Sequence, residues 1–291
     1  PAVRRPAIAS GPLHDNSFLV GEAYNQEAGV VQHILAAQWD RRSRQWDATF
    51  TQEWPVPDER HQLSFTVPYS WIGGPGGTRG PGDVLLNYRY QLFREEGRRP
   101  AVAPRLSLVL PTGSTDDGLG DGSAGFQALL PVSKQLNEHW AGHFNFGATF
   151  LPNGRAAGVK GNEQLLSWLG GGSLIWEPWD AVNFLAEVLA TRDAELGPRG
   201  VTYRDRVVID PGMRVGWNGP AGVQWVVGAS LPIGFGGDAG QLGVLLYLLL
   251  VGWWGSVLGA VFGAMFLVVH PLSVPAVAGL AGLSDLLAGL A

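Results

Sequence analysis

The chain has 291 residues, with Lys+Arg 20, Asp+Glu 25 and no Cys. The absence of cysteine excludes disulfides, thiolate metal sites, cysteine nucleophiles and a lipoprotein anchor. A charged fraction of 15% is low for a soluble domain, and a net charge of −5 without any Lys/Arg cluster among aromatics argues against a nucleic-acid partner.

In chain order, residues 1–16 are expected to form an N-terminal periplasmic segment, and alternating strands begin after them. Period-2 alternation of apolar and polar residues is the main signal. In QWDATFTQEW, Trp46, Ala48 and Phe50 alternate with Asp47, Thr49 and Thr51. In QLSFTVPYSW, Leu63, Phe65, Val67, Tyr69 and Trp71 share one face. LLNYRYQL, PRLSLVL and HFNFGATF repeat the pattern, and VNFLAEV and RVVIDPGMRVGW follow with Glu187, Arg206, Asp210 and Arg214 on the polar side. The spacing predicts twelve strands, near 22–39, 45–54, 61–71, 83–95, 101–111, 124–137, 140–152, 163–177, 181–191, 201–217, 221–234 and 240–250. Several exceed the usual length of a soluble strand and match the 9–11 residues that a tilted strand needs to cross a bilayer.

The connections alternate as well. PVPDER, EEGRRP, NE, EP and NGP are short. IGGPGGTRGPGD, TGSTDDGLGDGS, NGRAAGVKGN, DAELGPRG and GGDAG are mostly longer and glycine-rich. Short turns on one side and long loops on the other are the pattern of a transmembrane β-barrel. Trp54, Trp140, Trp176, Trp179 and Trp217 all fall beside short turns. An indole is apolar with one N–H donor, so these five are expected at a membrane interface as an aromatic girdle. A soluble β-sandwich also alternates, but it buries its aromatics mid-strand rather than beside successive turns.

The C-terminal region departs from this pattern. VLLYLLLVGWWGSVLGAVFGAMFLVV carries no charge over 26 positions, and after Asp238 the only charged residue is Asp285. Three readings fit: a helical membrane anchor, a last strand QLGVLLYLLL followed by a hydrophobic extension, or a shifted reading frame. The expected organisation is a barrel over 17–250 and an anomalous hydrophobic tail, helix or frameshifted end, over 251–291.

From Gly82 to Pro152 the sequence resembles a known family. A G-D strand start (Gly82, Asp83) and an L-P-T-G strand end (Leu110 to Gly113) precede a glycine-rich loop into G-x-Q (Gly125, Gln127). An S-K strand end (Ser133, Lys134) and a return strand led by Trp140 follow. These pieces resemble the outer-membrane barrels of the meta-pathway phenol-degradation family, over residues 17–250. The resemblance implies a channel for small or aromatic compounds in the bacterial outer membrane, with no catalytic residues to carry over.

The polar strand faces place Asp47, Glu53, Arg89, Arg105, Glu187, Arg206, Asp210 and Arg214 toward a lumen. Such charges either brace a narrow pore as paired networks or orient an anionic or hydroxylated solute. STDDGLGDGS brings Asp116, Asp117 and Asp121 among glycines but lacks the ligand spacing of an EF-hand, so a solvated loop is the expectation. His139 and His143 are four apart on a turn and strand, where that spacing does not converge on a metal. No G-x-S-x-G or Ser/His/acid grouping is evident, and GGPGGTRGPGD lacks the Lys-Ser/Thr of a phosphate loop. The expectation is therefore a non-enzymatic, twelve-stranded antiparallel up-and-down transmembrane barrel without cofactor or metal. Its expected partners are outer-membrane lipid and a small solute, with loops 72–83 and 113–123 screening access. The alternatives are a structural or surface-recognition barrel with a blocked lumen, and a periplasmic β domain on a C-terminal membrane helix.

Overall fold

The computed structural model describes residues 17–73, 76–219, 223–236 and 243–253. The strand segments are β1 (Val30–Asp40), β2 (Gln45–Pro55), β3 (His61–Ile72), β4 (Arg79–Pro81) and β5 (Val84–Tyr90). They continue with β6 (Ala101–Val102), β7 (Arg105–Leu110), β8 (Gly125–Asn137), β9 (Trp140–Gly154) and β10 (Glu163–Trp179). The last are β11 (Val182–Gly197), β12 (Gly200–Asn218), β13 (Gln224–Ser230), β14 (Ile233–Gly236) and β15 (Gly243–Trp253).

These segments build twelve wall strands, because three of the twelve are each interrupted once. β4 and β5 both pair with β3, β6 and β7 both pair with β8, and β13 and β14 both pair with β12. Pro104 and Pro232 stand in the latter two breaks, where a residue without an N–H cannot donate to the ladder. Each wall strand lies antiparallel to its sequence neighbour, β11 pairs with β12, and β15 pairs with both β13 and β1. The register from Val30↔Trp253 to Asp40↔Gly243 completes the ring. This is the up-and-down transmembrane barrel that the alternation predicts.

Alternation fixes the two faces. Leu106, Leu108, Phe126, Phe144, Phe146 and Ile209 point outward and are exposed, Leu106 by 63% and Phe126 by 62%. On the inner face, cross-strand register aligns Glu53, Ser64, Asn87, Ser107, Gln127 and Thr149. An apolar exterior around a polar interior is the reverse of a soluble fold and suits lipid outside.

Three expectations are corrected. The strand placed near 22–39 begins only at Val30, and residues 17–29 leave the wall to run inside the barrel. Neither alternate set within 22–29 is apolar (Glu22, Tyr24, Gln26; Asn25, Glu27), so this stretch could not present a face to lipid. The segment DAELGPRG is largely strand rather than loop, because β11 runs to Gly197 and β12 resumes at Gly200. Cross-strand pairs Asp193↔Arg204 and Glu195↔Thr202 carry the hairpin onward with opposite charges available to both strands. The short turn expected at EP lies three residues later, at Asp180 and Ala181, after an irregularity between Trp176 and Trp179. At the C-terminal side, residues 243–253 are wall strand, three residues past the expected end of the barrel at 250; residues 254–291, and the expected 1–16 segment, lie outside the described residues.

Candidate functional site in the barrel lumen

The wall backbone is already committed to its ladders, so a segment crossing inside the barrel must find its partners among side chains. Residues 17–29 do this as a strap. Phe18 N–H donates to Glu187 at 2.9 Å, Leu19 N–H at 3.0 Å and Val20 N–H at 2.9 Å, so one carboxylate receives three consecutive amides. Ala23 N–H donates to Ser133 Oγ at 2.7 Å, and Ser133 is bonded in turn to His143 Nδ1 at 2.7 Å.

Arg89 grips the next stretch. Its Nη1 donates to Glu22 O at 2.9 Å, its Nη2 to Tyr24 O at 2.5 Å and to Gln62 Oε1 at 3.0 Å, and its Nε to Asn25 Oδ1 at 2.8 Å. A guanidinium suits this position because its donors fan out in a fixed plane. Gln91 receives Asn25 N–H at 3.0 Å and donates to Ala23 O at 2.7 Å. Gln62 receives Gln26 N–H at 2.9 Å and donates to Glu53 at 2.9 Å. The strap therefore descends along the inner wall from β11 and β10 past β8 and β5 to β3, and then enters β1.

Where the strap reaches the short turns, Tyr24 Oη donates to Glu95 at 2.6 Å, as does Lys134 Nζ at 2.6 Å. Burial alone would raise the Glu95 carboxyl, but these bonds and the N–H of Gln135 outweigh it and hold the group below its usual range.

All eight lumen candidates lie on the inner face, in two tiers. Glu53, Arg89, Arg105, Glu187, Asp210 and Arg214 are in the tier that the strap occupies. Glu187, Asp210 and Arg214 have no exposed surface, although Glu187 and Asp210 oppose each other across β11 and β12. Asp210 accepts from Ser230 Oγ at 2.8 Å, and Arg105 donates to Gln127 at 2.9 Å beside Arg89. Asp47 and Arg206 sit nearer the long loops. Asp47 accepts from Ser70 Oγ at 2.6 Å, and Arg206 pairs with Asp193 at 2.6 Å. Of these eight, Glu187 and Arg89 bond to the strap directly, and Glu53 reaches it through Gln62. The partner itself, residues 17–29, is what reading the strands by alternation missed.

The family-like motifs also meet in space. Asp83 accepts the N–H groups of Gly113 and Asp121, each at 2.9 Å, while Thr112 Oγ1 donates to Gly82 O at 2.8 Å and accepts from Val84 N–H at 3.0 Å. Leu119 folds over Gly80, Gly82 and Gly113, where any Cβ would crowd it. Gly-Asp and Leu-Pro-Thr-Gly are one clasp tying loop 113–123 to the strand beside it. Burial, then the nearby charges of Asp83 and Glu195, push the Asp121 carboxyl up. Asp117 is bonded within the loop by Ser114 Oγ at 2.7 Å.

On the outer face, Trp54, Trp140, Trp176 and Trp217 point away from the lumen at short-turn ends of their strands, and Trp179 is 62% exposed. Trp140 stacks on Trp176 with ring centroids 6.3 Å apart. A second row, Trp39, Trp46 and Trp71, aligns in register at the opposite end of β1, β2 and β3. The eight residue steps from Trp46 to Trp54 span about 26 Å of strand, or about 20 Å of height at a tilt of about 40°.

No protein-family model matches this sequence, and no curated protein does. Among solved structures, the COG4313 outer membrane channel from Pseudomonas putida F1 superposes with a TM-score of 0.60 at 14% identity, covering 80% of this chain and 98% of that one. The KdgM porin follows at 0.49 and 6% identity, with 75% of this chain and 97% of that chain covered. At these identities the first likeness establishes the fold. The chain is built like an outer-membrane channel along nearly all of that channel's length.

Proposed function

We propose that this protein is a channel of the bacterial outer membrane for passive passage of small solutes, aromatic ones among them, with a lumen narrowed by its own N-terminal strap. The observation that carries this reading is a closed, polar-lined barrel whose strap is held by side chains rather than built into the wall. A segment attached this way detaches without opening the barrel. In this reading Arg89, Arg105, Glu187, Asp210 and Arg214 line the restricted tier, loops 72–83 and 113–123 screen access, and the tryptophan rows mark the two hydrocarbon boundaries. The motifs at Gly82–Asp83, Leu110–Gly113 and Ser133–Lys134 favour the meta-pathway phenol-degradation family as its relatives.

The strap also supports a second reading, a structural or surface-recognition barrel whose lumen stays filled. Solute flux in liposomes separates the two. Refolded protein should pass sugars and phenols slowly. Arg89→Lys, which exchanges a planar fork for a single ammonium, should pass them several-fold faster. If neither protein passes any solute, the channel reading fails and the filled barrel stands.

A further inference from the structure

The inner wall has one apolar row within its polar tier. Ala141, Ile175, Leu185 and Gly212 are cross-strand neighbours in register on β9, β10, β11 and β12, and Gly228 pairs with Tyr247 on β13 and β15. The ring of Phe18 lies on this surface. It packs against the buried cluster of Ala141, Ile175 and Leu185, and its centroid is 5.2 Å from that of Tyr247 at an interplanar angle of 55°.

The two glycines make the space. A Cβ on Gly212 would stand 2.6 Å from Phe18 Cε2, and one on Gly228 would stand 2.6 Å from Phe18 Cε1 and Cζ. Neither glycine has a positive φ; at Gly212 the wall also crowds a Cβ, with Ser230 Cβ at 2.7 Å and Ala229 O at 2.9 Å, so Gly228 is the position that the ring chiefly demands. The niche is flat, ring-sized and apolar, yet Asp210 and Arg214 flank it on β12. The residue filling it belongs to the strap rather than to the wall. The adjoining strap amides are the three held by Glu187.

We infer that this niche is a binding subsite for a planar apolar six-membered ring, and that Phe18 is a tethered occupant with which such a solute competes. This rests on the channel reading and extends it: ring binding and release of the strap from Glu187 become one equilibrium. A ring that takes the niche favours the detached strap, and an attached strap, with Phe18 in the niche, disfavours the ring. The linkage is reciprocal, so weakening the strap must tighten ring binding.

The test uses the full refolded chain in detergent with 4-fluorotoluene as probe, read by fluorine NMR, and with fluorocyclohexane as a non-planar control. Phe18→Ala should bind the probe about tenfold more tightly than the unmodified protein, since the competing occupant is gone. The control should gain much less. Adding Gly228→Leu to Phe18→Ala should abolish the gain.

Equal affinity in the unmodified protein and Phe18→Ala, or a gain that survives Gly228→Leu, would overturn the subsite. Hydrogen exchange in the unmodified protein keeps the test independent of how well Phe18→Ala folds. Saturating probe should speed exchange of the Phe18–Val20 amides, and no acceleration would overturn the competition. Flux separates this failure from that of the channel reading. Ring binding without flux removes the channel and leaves the subsite, whereas flux without niche-dependent binding does the reverse.

Discussion

The two ends of the barrel are held by different chemistry. In the lower tier, buried carboxylate, guanidinium and amide side chains bond to the backbone of residues 17–29. At the long-loop end, the contacts include ion pairs such as Arg204–Glu195 at 3.1 Å and Arg192–Asp205 at 3.8 Å, whose side chains are roughly half exposed or more. Buried bonds to a charged group contribute about 1.5–3 kcal/mol each, while exposed pairs contribute about 0–1 kcal/mol. The contrast teaches where control resides: a few lumen residues hold the strap, whereas many replaceable contacts dress the mouth.

The strongest way to break that contrast is Glu187→Ala. Three strap amides lose their acceptor together, and because they share one carboxylate their losses do not simply add. A cost on the order of 3 kcal/mol is expected, or roughly a hundredfold in strap detachment. Removing the acid also relieves its opposition to Asp210, which offsets part of the loss. Glu187→Gln keeps an acceptor and should fall between. Hydrogen exchange of the Phe18–Val20 amides measures the effect, and an exchange rate unchanged in Glu187→Ala would show that the carboxylate does not hold the strap.

Asp83→Ala makes the matching cut at the other end. Two loop amides lose their acceptor, but the group is partly exposed, so about 1 kcal/mol is expected. Protease added outside the cell should cleave between residues 114 and 122 several-fold faster, with strap exchange unchanged. A faster-exchanging strap would mean that the two ends are coupled after all.

The wall was legible because alternation is local. A strand with lipid on one side and polar neighbours on the other writes both faces into every second residue, as Tyr88 and Arg89 show next to each other. The strap was not legible, because its partners are Glu187, Ser133, Arg89, Gln91 and Gln62, spread over 125 residues of chain. Alternation puts those side chains inside but cannot say what they hold. The same limit applies to DAELGPRG: its glycine and proline read as a loop, while the charges that continue the hairpin, Arg204 and Arg206, lie on the next strand.

Acid should move the two ends in opposite directions. The Glu95 carboxyl is held low, so its contribution is present above the unfolded carboxylate range and is lost as pH falls through the folded value. The Asp121 carboxyl is pushed up, so its ionisation strains loop 113–123 and that strain is relieved as pH falls through its folded value. Lowering the pH should therefore expose Tyr24 and its neighbours to exchange while slowing cleavage within loop 113–123. Glu95→Gln should remove the first response, and Asp121→Asn the second. If both ends respond in the same direction, these two carboxylates do not set the acid response.

The smallest expected effect is at the tip of the β11–β12 hairpin. Arg204→Ala removes the partner of Glu195, but both side chains are about half exposed. Water replaces the lost bond, so thermal unfolding should shift by no more than about 0.5 kcal/mol in free energy. Arg206 sharpens the comparison because it sits two residues nearer the lumen. It donates twice to Asp193, at 2.6 and 3.2 Å, and Asp193 also receives Thr191 Oγ1 at 2.9 Å. A pair with two bonds and a less exposed acid should cost more than its outer neighbour, so Arg206→Ala should destabilise more than Arg204→Ala and a double variant should be nearly additive. Equal costs would place the boundary between water-screened and lumen-like behaviour below Arg206, leaving only the strap tier to hold charges in a low-dielectric setting.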